Sequence, residues 1–299
     1  MIIGVIIIII LILLFLIIYG LQSHVSIHRH LLIIKNRPTL NDCQNTNKII
    51  WSYWHDTNYP LPVKIAIHTW IKHNPKYLIC MLSKSTIHHY LDLETLPKTF
   101  NKLSIQKQTD VIRLALLEKY GGFWLDSTLY LNQSLDIEWN TKVDVGGYCA
   151  DFYTTNKNKP VFESWFIYAP KNSKLITAWK EEFFKGVDLN HQDYIDELEK
   201  TVDLQKIDLK VYLMIHCSFL KVIQDKKYKW KMLPAGQNNG PFSYLVKHDW
   251  NVPKSVFYLL TSKDHPPPVL KLRYPERFIT NWLIYYMQDH CLLHQLIYN

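Results

Sequence analysis

The chain is 299 residues long with a formal net charge of +8. That length can bury a substantial core and suits one large α/β domain or two small ones, with one catalytic unit plus an anchor fitting best. The charge favours polyanionic ligands or an anionic membrane surface. The lysines are dispersed, however, and the densest group, Lys226, Lys227, Lys229 and Lys231, reads as a solvated edge, so no nucleic-acid partner is expected.

Met1 to Tyr19 is almost entirely Ile, Leu, Val and Phe, broken by Gly4, close to the ~20 apolar residues that cross a bilayer. Residues 1–20 are therefore expected to be a single transmembrane anchor. A cleaved signal peptide is the weaker reading, because no basic stretch precedes the run and no small-residue cleavage site follows it. Arg29, Lys35 and Arg37 all follow the apolar run, and the positive-inside rule would then keep the body cytoplasmic, while the opposite orientation, with the body lumenal, stays open. Residues 21–47 are polar, contain Pro38 and lack a sustained period, as a stem does. Cys43, Cys80, Cys149, Cys217 and Cys291 are widely spaced and odd in number, which argues for buried free thiols over a zinc site or disulfide framework.

The folded body is expected over 48–299. Ile49 to Tyr53 reads as a strand, Pro62 to His73 as a helix stopped by Asn74-Pro75, and Tyr77 to Leu82 as a second strand. A unit of this length implies parallel strands with a right-handed crossover. A short helical piece near Ser85–Tyr90 precedes a helix over Ile105–Tyr120, whose Val111, Leu114, Ala115 and Leu117 recur at helical spacing. Gly121-Gly122 closes that helix, and Phe123 to Asp126 then forms a strand of the same sheet. Further on, a strand is expected near Val143–Ala150 and helices over Ser173–Lys185, Leu209–Lys226 and Phe278–Tyr298. Asn132-Gln133-Ser134 is a glycosylation acceptor if the body is lumenal. Pro266-Pro267-Pro268 marks a rigid loop, and Asn238 to Pro241 a turn bordering the cleft.

The chemistry concentrates in DVIRLALLEKYGGFWLDST, Asp110 to Thr128. Asp110 and Arg113, three apart, share a helix face. Asp126 falls where a strand ends, the position at which α/β sheets gather ligands, and a hard carboxylate there suits a divalent metal carrying phosphates. Bland readings compete: a turn-capping Asp at 126, a surface ion pair at 110 and 113, core packing for Trp51, and an exposed or structural His265.

IWSYWH near residue 50, TWIKHNP, DVIRLALLEKYGGFWLDSTLYL and SWFIYAPKNSKLITAW occur in the order that resembles capsular polysaccharide synthesis proteins and related GT-A glycosyltransferases with an Asp-x-Asp-type region. The resemblance spans roughly Lys48 to Leu245. It implies a GT-A, Rossmann-like nucleotide-diphospho-sugar transferase fold behind the anchor. It also implies a metal-dependent, retaining transfer of a hexose from a nucleotide diphosphate sugar to a glycan or glycoconjugate acceptor at a membrane. Asp126 would then hold Mn²⁺ or Mg²⁺, with Thr128 standing where a second Asp is usual. Asp110 and Arg113 would grip the donor, Trp51 or Trp54 would stack the base, Ser164 and Trp165 would lie near the donor sugar, and His265 would be a late metal ligand. Two other classes stay open: a membrane-tethered glycan-binding or degenerate transferase, and a phosphotransferase with an aspartyl nucleophile, which would want a second Asp at position 128.

Overall fold

The computed structural model describes residues 2–34, 38–139, 141–224, 228–237 and 239–298. Lys35, Arg37, Lys226, Lys227 and Asn238, invoked above for orientation, charge and a turn, lie outside them. Helix α1 runs over Ile2–His30, well past Tyr19. No proline interrupts residues 20–30, so a helix already nucleated in the apolar run propagates through them. Beyond it, the amide of Leu32 donates to His68 Nδ1 at 3.0 Å, and Leu31 and Ile34 pack on the body. The segment expected as a periodless stem is thus partly helical and partly docked, with a further short helix, α2, over Leu40–Gln44.

Strand β1 (Ile49–Tyr53), helix α3 (Leu61–His73) and strand β2 (Leu78–Leu82) form the expected unit, with β1 and β2 parallel. The Ser85–Tyr90 piece is a single 3-10 turn at Ile87–His89. Helix α4 (Ile105–Tyr120) is capped by Ser104 and leads into β3 (Gly122–Leu125), parallel to β1. There follow β4 (Leu129–Leu131), α5 (Leu135–Trp139), β5 (Val145–Cys149), β6 (Phe162–Ala169), α6 (Lys174–Asp188) and α7 (His191–Glu199). The chain ends with α8 (Met214–Val222), β7 (Trp230–Pro234), α9 (Ser243–Val246), α10 (Val252–Thr261), β8 (Val269–Lys271), α11 (Tyr274–Leu283) and α12 (Leu292–Tyr298).

The main sheet has six strands in the order β2-β1-β3-β6-β5-β7, and β4 and β8 form a separate antiparallel pair. It is a mixed sheet, because β6 runs antiparallel to both β3 and β5. Strand alternation divides the core: Trp51 and Trp124 face the side of α4, α6 and α8, while Ile50, Phe123 and Leu125 face the side of α3, α10 and α12. Helix α8 begins at Met214 instead of Leu209, since the Asp208 carboxylate accepts from the Leu209 amide at 2.8 Å and holds a turn. The helical stretch expected over Phe278–Tyr298 is broken: a 3-10 turn occupies Ile284–Tyr286, and His290 adopts a φ of 61°.

Gly121 and Gly122 carry φ of 69° and 91°, and a Cβ on Gly122 would lie 2.5 Å from Ile49 Cγ2 and 2.7 Å from Ile49 O. Gly122→Ala is expected to destabilise by on the order of 3 kcal/mol, combining backbone strain with collision against β1. Chemical denaturation of the purified variant reads that loss.

Candidate active site

Asp126 directly follows β3. Its amide donates to Trp165 O at 2.9 Å and its carbonyl accepts from the Leu129 amide at 3.0 Å, so neighbouring β6 and the turn into β4 fix its backbone. Trp124 and Asp126 are two apart and share one face, which lets the indole Nε1–H donate to Asp126 Oδ1 at 3.0 Å. Arg113 Nη2 donates to the same oxygen at 3.3 Å. Lys271 Nζ donates to Oδ2 at 2.9 Å. Burial pushes the Asp126 carboxyl up, but the charges of Lys271 and Arg113 outweigh it and hold the group below the usual carboxylate range.

From α4, Arg113 Nη1 lies 3.1 Å from Asp110 Oδ1 and donates to the Ser164 carbonyl at 2.8 Å, while the guanidinium lies 5.2 Å from the centre of the Trp124 ring. Held by a carboxylate, a carbonyl and an indole face, the guanidinium has one orientation. Its Nε is buried with no partner among the described residues. Asp110 sits deeper, and burial raises its pKa against the opposing pull of Arg113, His216 and Lys107. His216 Nε2 approaches Glu163 Oε2 at 3.5 Å, and Tyr212, largely exposed, stands within electrostatic reach of Asp110 and Asp126.

Asp110, Arg113, Asp126 and Thr128 are therefore brought together as the sequence suggests. Ser164 joins them through its backbone carbonyl, and its neighbour Trp165 is buried against Tyr148 at 5.2 Å between ring centres. Trp51 is a correction: it is fully buried, donates to Gly121 O at 3.0 Å and packs on Tyr90 and Tyr120, so no base can reach its face. Trp54 is half-buried, with the Arg277 guanidinium 4.9 Å from its ring centre. His265 is a second correction. It is exposed in the loop before β8 begins at Val269, next to Pro266, whose carbonyl accepts from Asn132 at 3.0 Å, whereas Lys271 pairs with Leu129 beside Asp126.

The same arrangement tests the expected Mn²⁺ or Mg²⁺. Both Asp126 oxygens already accept from cationic or indole donors. The Thr128 hydroxyl donates to Leu272 O at 2.7 Å and accepts from Lys271 at 3.2 Å. Among the described residues no group of three or more His, Cys, Asp or Glu side chains converges to hold an ion. An ion held by one or two carboxylates and the oxygens of a phosphate needs a free carboxylate oxygen, and in this arrangement Lys271, Arg113 and Trp124 occupy both oxygens of Asp126, so the donor set as it stands leaves none for an ion. Lys271 was missed in the sequence. Its only signal is the basic run Lys271, Arg273 and Arg277 after the triple proline, some 140 residues beyond Asp126.

The chain is thus a mixed α/β protein whose sheet carries, at the carboxyl end of β3, a largely buried ion-paired cluster of Asp110, Arg113, Asp126 and Lys271. The chain belongs to the family of capsular polysaccharide synthesis proteins, whose model matches residues 27–287. Among curated relatives it is similar to the O-glycosyltransferase braB of Annulohypoxylon truncatum, 28% identical over 161 residues, covering 47% of this chain and 38% of that protein. It is also similar to the glycosyltransferase afumC of Aspergillus fumigatus, 29% identical over 155 residues, covering 45% and 39%. The matched part thus spans less than half of either relative. Similar solved structures include the PaToxG glycosyltransferase, with a TM-score of 0.34 and 14% identity over 66% of this chain and 77% of that one. The galactosyltransferase LgtC, solved with donor and acceptor sugar analogs, gives a TM-score of 0.41 and 13% identity over 76% and 87%.

Proposed function

We propose that this chain is a membrane-anchored glycosyltransferase of GT-A type that moves a hexose from a nucleotide diphosphate sugar to a glycan or glycoconjugate acceptor. The observation that carries the reading is the largely buried cluster in which Asp110, Arg113, Asp126 and Lys271 meet. Family membership and the two glycosyltransferase relatives support it. As the donor's sugar–phosphate bond breaks, negative charge grows on the departing diphosphate, and prearranged cations there lower the barrier most. Lys271 has three N–H donors; two engage Asp126 and Thr128, leaving one for a phosphate oxygen. Arg113 supplies a second fixed positive charge, and Asp110, whose ion pair uses Oδ1, keeps an oxygen to accept a sugar hydroxyl and orient the ring. Retention of anomeric configuration, which the resemblance implies, is read from the anomeric signals of the product by NMR.

Anchoring rests on α1, a helix long and apolar enough to cross a membrane, with a mean hydropathy of 2.4 over an 18-residue window. A signal sequence passes the same test. The deciding experiment assays transfer and donor hydrolysis by the full chain, with Mn²⁺ and with EDTA, beside Asp126→Asn. The expected result is a rate that survives EDTA within about twofold and falls about 100-fold or more in Asp126→Asn. EDTA-sensitive, Mn²⁺-restored activity would return an ion to Asp126, and an unchanged rate in Asp126→Asn would sink the site.

A further inference from the structure

The exposed side of α11 and the turn after it is wholly apolar. Between Tyr274 and Tyr286 the exposed positions are Tyr274, Pro275, Phe278, Trp282, Leu283 and Tyr286. The aromatics among them are 67%, 55%, 65% and 45% exposed in chain order and recur every fourth residue, which stacks them along one face. A helix facing water carries charge on that side. Here Glu276 is fully buried and paired with Arg273 at 2.7 Å, and the half-buried Arg277 guanidinium lies against two rings, 4.9 Å from the centre of Trp54 and 5.2 Å from that of Tyr274. A contiguous apolar strip of this size marks an interaction surface.

The strip is continuous with α1. A Cβ on Gly20 would lie 3.0 Å from Tyr286 Oη, and Gly20 is where the apolar run of α1 gives way to Gln22 and Ser23. Tyr and Trp rings, apolar in body with one polar atom, collect where a bilayer meets water. We propose that the Tyr274–Tyr286 face lies on the bilayer interface, extending sideways from the point where α1 emerges; this rests on the reading of α1 as an anchor. Lys271 and Arg273 immediately precede α11, a helix about 15 Å long. The site then opens within a helix length of the membrane surface, and the acceptor it serves is one presented there.

The test uses the full chain in phosphatidylcholine–phosphatidylglycerol vesicles, nitroxide-labelled at Phe278→Cys or Trp282→Cys, with Ile12→Cys and Glu197→Cys as bilayer and water references. Spin relaxation by oxygen, which partitions into lipid, is compared with relaxation by a water-soluble nickel chelate. The expected oxygen-to-nickel ratio at 278 and 282 is several-fold above that at 197. Ratios equal to that at 197, with Ile12 reading as lipid, overturn the interface while leaving the anchor; an aqueous reading at Ile12 overturns the anchor and this proposal with it. Trp282→Tyr, a milder change, should lower the fraction of tryptophan fluorescence quenched by brominated lipid, and an unchanged fraction counts against it. Shielding of 278 and 282 by a soluble oligosaccharide but not by vesicles would make the strip a glycan surface instead.

Discussion

Lys271→Met is expected to lower kcat by about 10²–10³-fold, the loss typical when one prearranged charge on a developing anion is removed. Methionine keeps the length of the stem and removes the ammonium, so β8 and its pairing with β4 stay filled. Asp126 retains Arg113 and Trp124 as partners, which limits the stability loss to about 1–3 kcal/mol. Because the charge on the diphosphate is larger in the transition state than in the bound donor, the effect should fall on kcat more than on KM. The variant also reports on the metal. With the ammonium gone, Asp126 Oδ2 is freed, and millimolar Mn²⁺ should restore part of the rate, whereas the unaltered chain should not respond. A Lys271→Met rate equal to that of the unaltered chain in EDTA would remove Lys271 from the reaction.

The elements that repeat a period or carry a boundary residue were legible in the sequence. Helix α4 has its apolar spacing and its glycine stop, and β1, α3 and β2 are punctuated by prolines and Asn74, so their bounds fall within a residue or two. Strand β6 was not legible as a strand. It is buried on both faces over nearly its whole length, so it shows no alternation to distinguish it from any short apolar run. Asp110, Arg113 and Asp126 were found because their spacing is local to one helix–strand unit. Lys271 reaches the same carboxylate from β8, through a pairing of Leu129 with Lys271 that no local pattern encodes. Trp51 misled for the opposite reason: its place on β1 was right, but alternation turns it into the core with Tyr120, leaving Trp54 beyond the strand end as the aromatic with an open side.

Asp126→Asn and Asp110→Asn should move stability in opposite directions, although both should cost activity. The native Asp126 carboxyl is held below its ordinary value, so its ionised form stabilises the fold above the unfolded pKa of about 3.9, and that contribution is lost as pH falls through the lower native value. Removing its charge leaves Lys271, whose side chain is only 9% exposed, with no carboxylate partner among the described residues, while Arg113, 6% exposed, keeps Asp110 alone. Breaking a buried pair in this way costs about 3–5 kcal/mol. Asp110 behaves the other way. Burial raises its native pKa, so the native chain takes up that proton at a higher pH than the unfolded chain does, and stability declines as pH rises from about 3.9 through the raised value. Asparagine carries no charge to desolvate, so Asp110→Asn should hold or raise Tm at neutral pH, and its Tm advantage should vanish at acid pH where the native carboxyl is itself neutral. Thermal unfolding of both variants between pH 4 and 8 reads the two signs directly. A Tm for Asp110→Asn well below that of the unaltered chain at pH 7 would mean that its pairing with Arg113 outweighs burial, making that carboxylate a structural support for Arg113. A raised or equal Tm together with lost transfer would mark Asp110 as a charge kept for the donor at the expense of the fold.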